Sequence, residues 1–261
     1  MAKDRVSPVA TRTVDQLQVN IYETRQDMGQ AAGKAAAEKL RSLLATNELV
    51  NMVFAAAPSQ NEFLDALTAA EGVDWSRVTA FHLDEYIGLP AGAPQRFAKY
   101  LEDHLFSRVS FGQIHLIDPT AESEAECERY SSLLRENPLD IACVGVGENG
   151  HLAFNDPPVA DFEDPKAVKV VELDQRCRQQ QVNDGCFPTI DEVPTHALTM
   201  TIPAIMAAKE IYCIVPGSTK AEAIDSMMNG PITTECPASI LRRHASSRLY
   251  IDRDAGSRVL S

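Results

Sequence analysis

The most constraining feature of this sequence is the alternation of short apolar runs with longer helix-forming stretches. The apolar runs are nearly continuous and rich in β-branched residues, which is typical of strands buried on both faces of a parallel sheet. Strands that alternate with helices form βαβ units. The sequence therefore predicts an α/β fold, a Rossmann-like, doubly wound and mostly parallel sheet with helices on both faces. The predicted strands are residues 50–57, 78–83, 141–146 and 211–215, and the predicted helices are residues 26–44, 61–70, 95–106, 122–135 and 220–228.

No internal repeat, low-complexity tract or long polar linker interrupts this pattern. We therefore expect residues 1–261 to form a single domain. Residues 1–12 are predicted to be a loose tail, whereas residues 17–22 alternate in the manner of a strand. Within the helix predicted at 26–44, Gly33 is a weak point.

Charge and composition exclude several classes of protein. The chain of 261 residues contains 24 Lys and Arg against 37 Asp and Glu, which gives a net charge of −13, and 44% of its residues are hydrophobic. That apolar fraction is ample for a buried core, so disorder is not expected. The negative charge argues against nucleic acid and anionic membranes as partners. Since no apolar run could span a bilayer and no signal-peptide core is present, we expect a cytoplasmic protein.

The six cysteines show no metal-binding spacing. They form neither a CxxC pair nor a cluster with histidines, so we expect no structural metal site. Cys143 and Cys213 lie inside apolar runs and are predicted to be buried thiols. Disulfides are not expected in a cytoplasmic protein.

Four predicted strands are followed by residues that can carry chemistry. In an open α/β sheet, ligands bind beyond the carboxyl ends of the strands. The fold should therefore gather these four segments, which are far apart in sequence, at one edge of the sheet. They are residues 56–60 (AAPSQ), 82–86 (HLDEY), 145–151 (GVGENGH) and 216–220 (PGSTK).

Residues 216–220 place a glycine turn and a lysine at the start of a helix. Gly217 gives the turn, and Ser218 can present its hydroxyl where the helix begins. A cation such as Lys220 is unfavourable there unless an anion, for example phosphate, lies between it and the backbone N–H groups. An ordinary capped helix with a solvated lysine explains these residues equally well, and the motif is too short for a P-loop.

The segment around Asp84 carries two adjacent carboxylates. Neighbouring residues of a strand face opposite ways, so Asp84 and Glu85 should not both enter one site while the strand continues. A carboxylate partly desolvated by Phe81 and Tyr86 could act as a general base. From these residues alone, a loop aspartate that caps the next turn is the simpler interpretation.

Residues 145–156 form the most informative stretch. Three glycines in six residues indicate a close backbone approach or positive φ, and His151 follows at once, ahead of Asn155 and Asp156. An imidazole oriented by a carboxylate or amide is an acid/base unit near neutral pH. A glycine turn with a hydrogen-bonded histidine is the structural alternative, and the spacing does not fit a dinucleotide fingerprint. Because glycines and titratable groups coincide, we favour a catalytic role.

At these motifs the chain resembles the glucosamine-6-phosphate deaminase (isomerase) family, which is related to the 6-phosphogluconolactonases. The most specific matches are LDEYIGLP at 83–90 and GVGENGHLAFNDP at 145–157, and VPTHALTM at 193–200 and the PGSTK segment support them. The lactonase branch differs after the glycine turn, so the deaminase side fits better. The analogy supports the fold, whereas the activity depends on the site residues.

The resemblance implies a role for each of four residues. Asp84 matches the carboxylate that moves a proton between C2 and C1 of the open-chain sugar, and His151 matches the base that opens the pyranose ring. Asn149 and Asp156 match the positions that orient and polarise that histidine. Two of them differ from the usual family residues, since Asn149 replaces a common aspartate and Asp156 replaces the commoner glutamate.

The resemblance also implies a phosphate site in which this chain departs from its family. The usual Thr-Gly-Gly-Thr-Pro loop is Ala-Ala-Ala-Pro-Ser at residues 55–59, and a family arginine that contacts phosphate falls near Gln181. Either a neighbouring arginine, Arg176 or Arg178, substitutes for it, or the anion is held more weakly. The predicted substrate-binding residues are Ser59, Gly147, Gly150, Arg176, Ser218 and Lys220.

Three functional hypotheses follow. The leading one is an amino-sugar-phosphate deaminase that converts glucosamine 6-phosphate and water to fructose 6-phosphate and ammonia through an enolamine. It needs a small-molecule sugar phosphate but no metal or organic cofactor, and a homo-oligomer is the default expectation. The alternatives are a 6-phosphogluconolactonase and, because the phosphate loop is altered, a non-catalytic sugar-phosphate sensor. Which hexosamine is used depends on a hydroxyl contact that the sequence does not identify.

Overall fold

The structure, a computed structural model, describes residues 6–260, and these contain eleven strands. The strands are β1 (Ala10–Val14), β2 (Leu17–Tyr22), β3 (Val50–Phe54), β4 (Val78–His82), β5 (Asp84–Tyr86), β6 (Gln113–His115), β7 (Ile141–Val144), β8 (Val168–Glu172), β9 (His196–Met200), β10 (Glu210–Val215) and β11 (Ser247–Asp252).

Eight of these strands form one large sheet in the order β1-β2-β11-β10-β7-β3-β4-β6. Every neighbouring pair is parallel except β1 and β2, which are antiparallel at the edge. From β3 the chain continues to β4 and β6 on one side, and it then returns to β7 on the other. The strand order therefore reverses between β3 and β7, where a doubly wound sheet opens its ligand-binding crevice. A second, antiparallel sheet has the order β5-β9-β8.

The α-helices connect these strands and are mostly short. They are α1 (Arg25–Leu44), α2 (Asn61–Thr68), α3 (Phe97–Leu101), α4 (Ser123–Glu136), α5 (Gln175–Asn183), α6 (Ile202–Met206) and α7 (Ala221–Asn229). A π-helical turn, Glu102–Phe106, extends α3, and 3₁₀ turns cover Pro58–Gln60 and Ser218–Lys220 among others. None of the helices within residues 6–260 is both long and apolar enough to cross a membrane.

Helices cover both faces of the large sheet because its strands are apolar on both sides. Along β10, Ile211 and Cys213 pack into one buried cluster together with α4, α6 and α7. The alternate residues, Tyr212 and Ile214, pack into a second cluster with α1 and α2. This double burial explains why the strands appear in the sequence as continuous apolar runs.

The structure confirms the predicted α/β class, with a mostly parallel sheet and helices on both faces. All four predicted strands form as β3, β4, β7 and β10, although the residues beyond Phe54 and Val144 leave the sheet. The prediction of a loose tail at residues 1–12 is wrong from Ala10 onward, because Ala10 begins β1 and pairs with Ile21 of β2. Residues 1–5 lie outside the described part of the chain.

Candidate active site

A cleft of about 280 Å³ opens at the carboxyl ends of the central strands, beside the point where the strand order reverses. The loops after β3, β7 and β10 line it, together with the first residue of β5. It thus gathers all four segments that the sequence singled out. The predicted site residues that line the cleft are Ser59, Asp84, Gly147, His151, Ser218 and Lys220.

His151 is held by a hydrogen-bonded network behind the cleft. Its Nδ1 lies 2.9 Å from Oδ1 of Asp156, and that same oxygen accepts a hydrogen bond of 2.8 Å from the side-chain amide of Asn149. The Asn149 side-chain oxygen in turn accepts from the His151 backbone N–H at 3.1 Å. With Nδ1 directed to the carboxylate, the Nε2 side of the ring is the one available for proton transfer.

The environment of Asp156 keeps its carboxyl group charged. Burial alone would raise the pKa of Asp156, but the charge of His151 and the hydrogen bonds from His151 and Asn149 outweigh it. The pKa of Asp156 therefore lies below its ordinary value. An ionised Asp156 stabilises the imidazolium that forms when His151 accepts a proton.

The glycines of this loop let the backbone pass directly against its neighbours. A Cβ at Gly147 would lie 2.2 Å from the nearest atom of the His151 ring, so only glycine fits over the imidazole. Gly150 has a φ of +81°, and a Cβ there would also meet the Cys236 sulfur at 2.8 Å. Gly150 therefore shapes the loop from outside the cleft, whereas Gly147 lines it. The glycines in the sequence thus reflect a close backbone approach at Gly147 and a positive φ at Gly150.

Asp84 projects into the cleft from β5 and is almost completely buried, with 7% of its surface exposed. Desolvation, with a further contribution from the negative charge of Glu85, raises the pKa of Asp84 well above its ordinary value. A carboxyl group whose pKa is raised by poor solvation holds its proton more tightly, so the carboxylate is a stronger base once it is ionised.

Glu85 faces away from the cleft, as the alternation along a strand requires. Its carboxylate accepts hydrogen bonds from the backbone N–H groups of Tyr86, Phe97 and Ala98, and it forms an ion pair of 3.5 Å with Arg96. Two of these donors belong to the first turn of α3, so Glu85 anchors that turn. Phe97 of this turn lines the cleft.

Lys220 also lines the cleft and carries a buried positive charge. Only 5% of its surface is exposed, and its ammonium has no hydrogen-bond or ion-pair partner among residues 6–260. Burial lowers the pKa of Lys220 below its ordinary value, and the negative charges of Asp184 and Glu148 partly oppose that effect. Burying an unpaired cation is unfavourable, and an anionic ligand would offset that cost.

The turn before Lys220 is fixed by the last strand of the sheet. Gly217 has a φ of +94°, and its N–H donates to both carboxylate oxygens of Asp252 at 3.0 Å. The hydroxyl-bearing Ser218 follows and is exposed at the mouth of the cleft. The sequence motif thus marks a turn that is positioned by a residue of β11.

The loop after β3 reaches the cleft without any residue at positive φ. Within residues 6–260, the non-glycine residues with positive φ are Asp15 and Ala153, so residues 55–57 take ordinary backbone conformations. Ser59 accepts a hydrogen bond from the Gln60 side-chain amide, which also donates to the carbonyl of Ile214. This link joins the loop after β3 to the end of β10, and the Ser59 hydroxyl proton is available to a ligand.

The arginines expected to replace the family arginine do not reach the cleft. Arg176 lies in the first turn of α5 with its side chain exposed, and it does not line the cleft. Arg178 donates to the carbonyls of Ile190 and Val193 on the far side of α5. The expectation for both is therefore wrong in this structure, because the phase of α5 turns them away and directs Gln181 inward.

Arg25, which the sequence analysis missed, lines the cleft instead. It is the first residue of α1 and is separated from the end of β2 by only two residues, so it lies at the same edge of the sheet as the other site residues. Nothing in its local sequence distinguishes it from a surface arginine. Its contacts, with Glu62 and the carbonyl of Pro58, come from a distant part of the chain.

One group of side chains has the composition of a metal site. The potential ligand atoms of His151, Asp156 and Cys177 lie within 4.8 Å of one another, and all three residues are buried. Two of these atoms are already joined by the hydrogen bond between His151 and Asp156. Burial raises the pKa of the Cys177 thiol well above its ordinary value, which disfavours the thiolate that a metal requires. The geometry therefore fits a proton-transfer pair better than a metal centre.

Together, the cleft offers a buried carboxylate, an imidazole backed by a carboxylate, and a cation without a partner. The first two can move protons on a small molecule, and the third can bind an anionic group remote from the reacting atoms. Asp84, His151 and Lys220, which are far apart in the sequence, are brought to a shared cleft.

The chain is similar to proteins of a known family. Residues 23–251 match the family model described as glucosamine-6-phosphate isomerases/6-phosphogluconolactonase. A glucosamine-6-phosphate deaminase of Listeria welshimeri is 38% identical over 228 residues, covering 87% of this chain and 95% of that protein. One of Exiguobacterium sibiricum is 40% identical over 186 residues, covering 71% and 72%.

Solved structures share the fold. A structure described as a monomeric glucosamine-6-phosphate deaminase superposes with a TM-score of 0.82 at 30% identity, covering 92% of this chain and 98% of that one. A 6-phosphogluconolactonase of Thermotoga maritima gives a TM-score of 0.74 at 19% identity, covering 92% and 100%. At that identity the lactonase shows the fold alone.

Proposed function

The chain belongs to the family of glucosamine-6-phosphate isomerases and 6-phosphogluconolactonases, and we propose that it is an enzyme that deaminates and isomerises glucosamine 6-phosphate. The products are fructose 6-phosphate and ammonia. The observation that carries this proposal is that Asp84, His151 and the unpartnered cation of Lys220 line one cleft. The relatives named as deaminases support it, since they are far more similar to this chain than the lactonases are.

The first chemical step is the opening of the sugar ring. His151, with Nδ1 bound to Asp156, accepts the proton of the C1 hydroxyl through its free nitrogen and returns a proton to the ring oxygen. The C1–O5 bond breaks and an aldehyde forms at C1. Asn149 fixes the orientation of the Asp156 carboxylate during this exchange.

The second step is the proton transfer that Asp84 performs. The C1 aldehyde acidifies the hydrogen on C2, so Asp84 can remove it and leave an enolamine. Reprotonation at C1 by the same carboxyl group gives an imine at C2, to which one water molecule adds. Ammonia then leaves from C2, and the resulting carbonyl is that of the ketose. The raised pKa of Asp84 suits a group that must both take and return a proton.

The phosphate contributes binding energy away from the reacting carbons. Lys220 supplies the charge, and the hydroxyls of Ser59 and Ser218 supply hydrogen-bond donors from two different loops. Such remote binding holds C1 and C2 against the catalytic groups. A phosphorylated substrate also agrees with a cytoplasmic location. We retain a homo-oligomer as the proposed assembly, although one similar structure is described as monomeric.

Ammonia release from hexosamine 6-phosphates tests the function. We expect the purified chain to release ammonia from glucosamine 6-phosphate and Asp84→Asn to lower that rate by about 10²–10⁴-fold, because the general base is lost. The matched control is Asp254→Asn, at an exposed position of the C-terminal turn, which should retain the wild-type rate.

The same assay separates the alternatives. Hydrolysis of 6-phosphogluconolactone without any ammonia release would identify a lactonase instead. Thermal stabilisation by sugar phosphates with no turnover of either substrate would identify a sensor. Wild-type turnover by Asp84→Asn would remove Asp84 from the mechanism.

A further inference from the structure

Among residues 6–260, Arg25 supplies the only guanidinium that lines the cleft, and Lys220 supplies the only ammonium. Arg25 enters from the carboxyl end of β2, and Lys220 enters from the loop after β10. The loop that contains Ser59 lies against Arg25, since the Arg25 guanidinium donates to the carbonyl of Pro58. Arg25 therefore belongs to the end of the cleft where the proposed phosphate-binding loops meet.

The guanidinium of Arg25 is fixed but not saturated. Its Nε donates to Oε2 of Glu62 at 2.7 Å, and its Nη2 donates to the Pro58 carbonyl. A guanidinium has five N–H donors, and Nη1 has no hydrogen-bond partner among residues 6–260. The side chain is 39% exposed, so a ligand in the cleft can reach it. The remaining donors are thus held in a set orientation.

Packing between α1 and α2 puts Arg25 in this position. A Cβ at Gly29 would lie 2.3 Å from the Cβ of Glu62, and one at Gly33 would lie 2.6 Å from the Cβ of Ala66. Only glycine at these two positions lets the helices approach so closely. The first turn of α1 is thereby brought against the loop that precedes α2, where Glu62 and Pro58 receive the guanidinium.

We propose that Arg25 is a substrate-binding residue that donates hydrogen bonds to the phosphate, in the absence of any arginine at position 181. This inference rests on the proposed function, because the phosphate is that of the proposed substrate. Since Glu62 balances the charge of Arg25, its contribution is directed donors rather than net charge. Lys220 supplies the charge. Arg25 would thus provide oriented hydrogen-bond donors to the phosphate, and Lys220 would provide the net positive charge.

Inorganic phosphate and glucosamine 6-phosphate are the probes for this proposal. We expect Arg25→Gln to weaken phosphate binding, measured by calorimetry, and to raise KM, each by about 10- to 100-fold, as for the loss of a hydrogen bond to a charged group. Because no reacting atom is involved, kcat should change by less than about threefold. Arg25→Lys keeps the charge without the fork, so its effect should be intermediate.

Two further variants exclude a purely structural role. Arg41→Gln changes an arginine of the same helix that donates to the Glu71 carbonyl away from the cleft, and it should leave KM unchanged. Glu62→Gln keeps Arg25 but removes its countercharge, so phosphate should bind at least as tightly as to the wild type. If Arg25 only braced the loop, Glu62→Gln would weaken binding as Arg25→Gln does, and the proposal would be wrong.

The outcomes for the two proposals remain distinguishable. Arg25-dependent phosphate binding without ammonia release would refute the deaminase function and leave this inference intact. Ammonia release with an unchanged KM in Arg25→Gln would refute this inference alone. Thermal unfolding checks that each variant is folded, and Arg25→Lys decides the matter through KM if Arg25→Gln does not fold.

Discussion

Two adjacent carboxylates, Asp84 and Glu85, have opposite environments and opposite tasks. The Asp84 carboxylate has no hydrogen-bond partner within residues 6–260 and faces the cleft, whereas the Glu85 carboxylate accepts three backbone hydrogen bonds behind it. The pKa of Glu85 is also raised by burial, which its hydrogen bonds and Arg96 only partly offset. A negative charge on Glu85 disfavours a second one on Asp84, so Glu85 is a positioning residue that also affects the basicity of Asp84.

We expect Glu85→Gln to move the acidic limb of the kcat/KM profile to lower pH. On this limb the activity decreases as the pH is lowered, because Asp84 must be ionised to accept a proton. The charge of Glu85 raises the pKa of Asp84, so its removal lowers that pKa and preserves the ionised base in more acidic solution. The glutamine oxygen can still accept hydrogen bonds from the first turn of α3. The measurement is kcat/KM for glucosamine 6-phosphate as a function of pH.

Glu102→Gln is the control for this experiment. Glu102 is exposed at the end of α3 and should leave the profile where it is. A purely structural role of Glu85 would lower the rate at every pH without moving the acidic limb. An unshifted limb in an active Glu85→Gln enzyme would therefore contradict the proposed coupling to Asp84.

Individual site residues were predictable where the local sequence restricts them. The glycines around His151 indicate an unusual backbone, whereas Asp84 was assigned through the family resemblance, since its own residues favoured a capping aspartate; both residues line the cleft. Arg176 was misassigned because its direction depends on where α5 begins, which the sequence does not define sharply. Arg25 was missed because its position at the cleft depends on its hydrogen bond to Glu62, and no local sequence pattern connects these two residues.

At the scale of elements, the contact between α1 and α2 decides the shape of one end of the cleft. The sequence marked Gly33 as a weak point in a helix, and the structure gives its physical reason. A Cβ at Gly33 would lie 2.8 Å from both the Leu67 nitrogen and the Phe63 oxygen, so the two backbones are nearly in contact. The intrinsic cost of glycine in a helix is accepted here for close packing.

We expect Gly33→Ala to lower the free energy of unfolding by about 1–2 kcal/mol, since overpacking costs more than the gain of about 1 kcal/mol in helix propensity. Denaturant unfolding measures this change. Gly92→Ala is the matched control, because no atom lies within 4 Å of a Cβ there and its φ is not positive. Gly92→Ala should be neutral or slightly stabilising. Equal stability of Gly33→Ala and wild type would show that the helices can separate freely.

The strands differ in how readily they can be predicted from the sequence. The central strands were predictable because burial on both faces leaves continuous apolar runs, as at residues 50–54 and 141–144. The small sheet was not predicted, because β5 has only three residues and follows β4 after the single residue Leu83. Its pairing with β9 depends on chain segments that are remote in sequence.

At the scale of the whole molecule, the buried charges of the site reduce stability. In the unfolded chain Asp84 ionises at its ordinary pKa, whereas in the folded protein burial raises that pKa well above it. As the pH rises above the ordinary value, the unfolded state therefore binds fewer protons than the folded state. Stability is lost as the pH rises through this range. The function of Asp84 thus has a stability cost at neutral pH.

We expect Asp84→Asn to be more stable than the wild type at neutral pH, because asparagine has no charge to desolvate. The difference should shrink as the pH falls and should vanish below the ordinary aspartate pKa of about 4, where the wild-type carboxyl group is protonated in both states. Denaturant unfolding at several pH values measures it. The exposed control Asp254→Asn should show no such trend. A variant that is less stable than wild type at neutral pH would contradict the cost assigned to Asp84.

The overall architecture was predictable, whereas the order of the strands was not. Alternating strands and helices lead to a doubly wound sheet through general rules of chain connection. The insertion of β11 between β2 and β10 depends on which edges pair in three dimensions, and no periodicity encodes it. The position of the cleft could still be inferred, because ligand sites follow the carboxyl ends of strands in any order.

This strand order has a consequence for biosynthesis. Among the strands of residues 6–260, β1 and β2 are made before the others, yet in the finished sheet β2 pairs on its parallel side with β11, which is made after all of them. Asp252, which fixes the turn before Lys220, also belongs to β11. A nascent chain must therefore keep its opening hairpin unpaired on that side until translation has passed Asp252, and it cannot hold the substrate anion correctly before then.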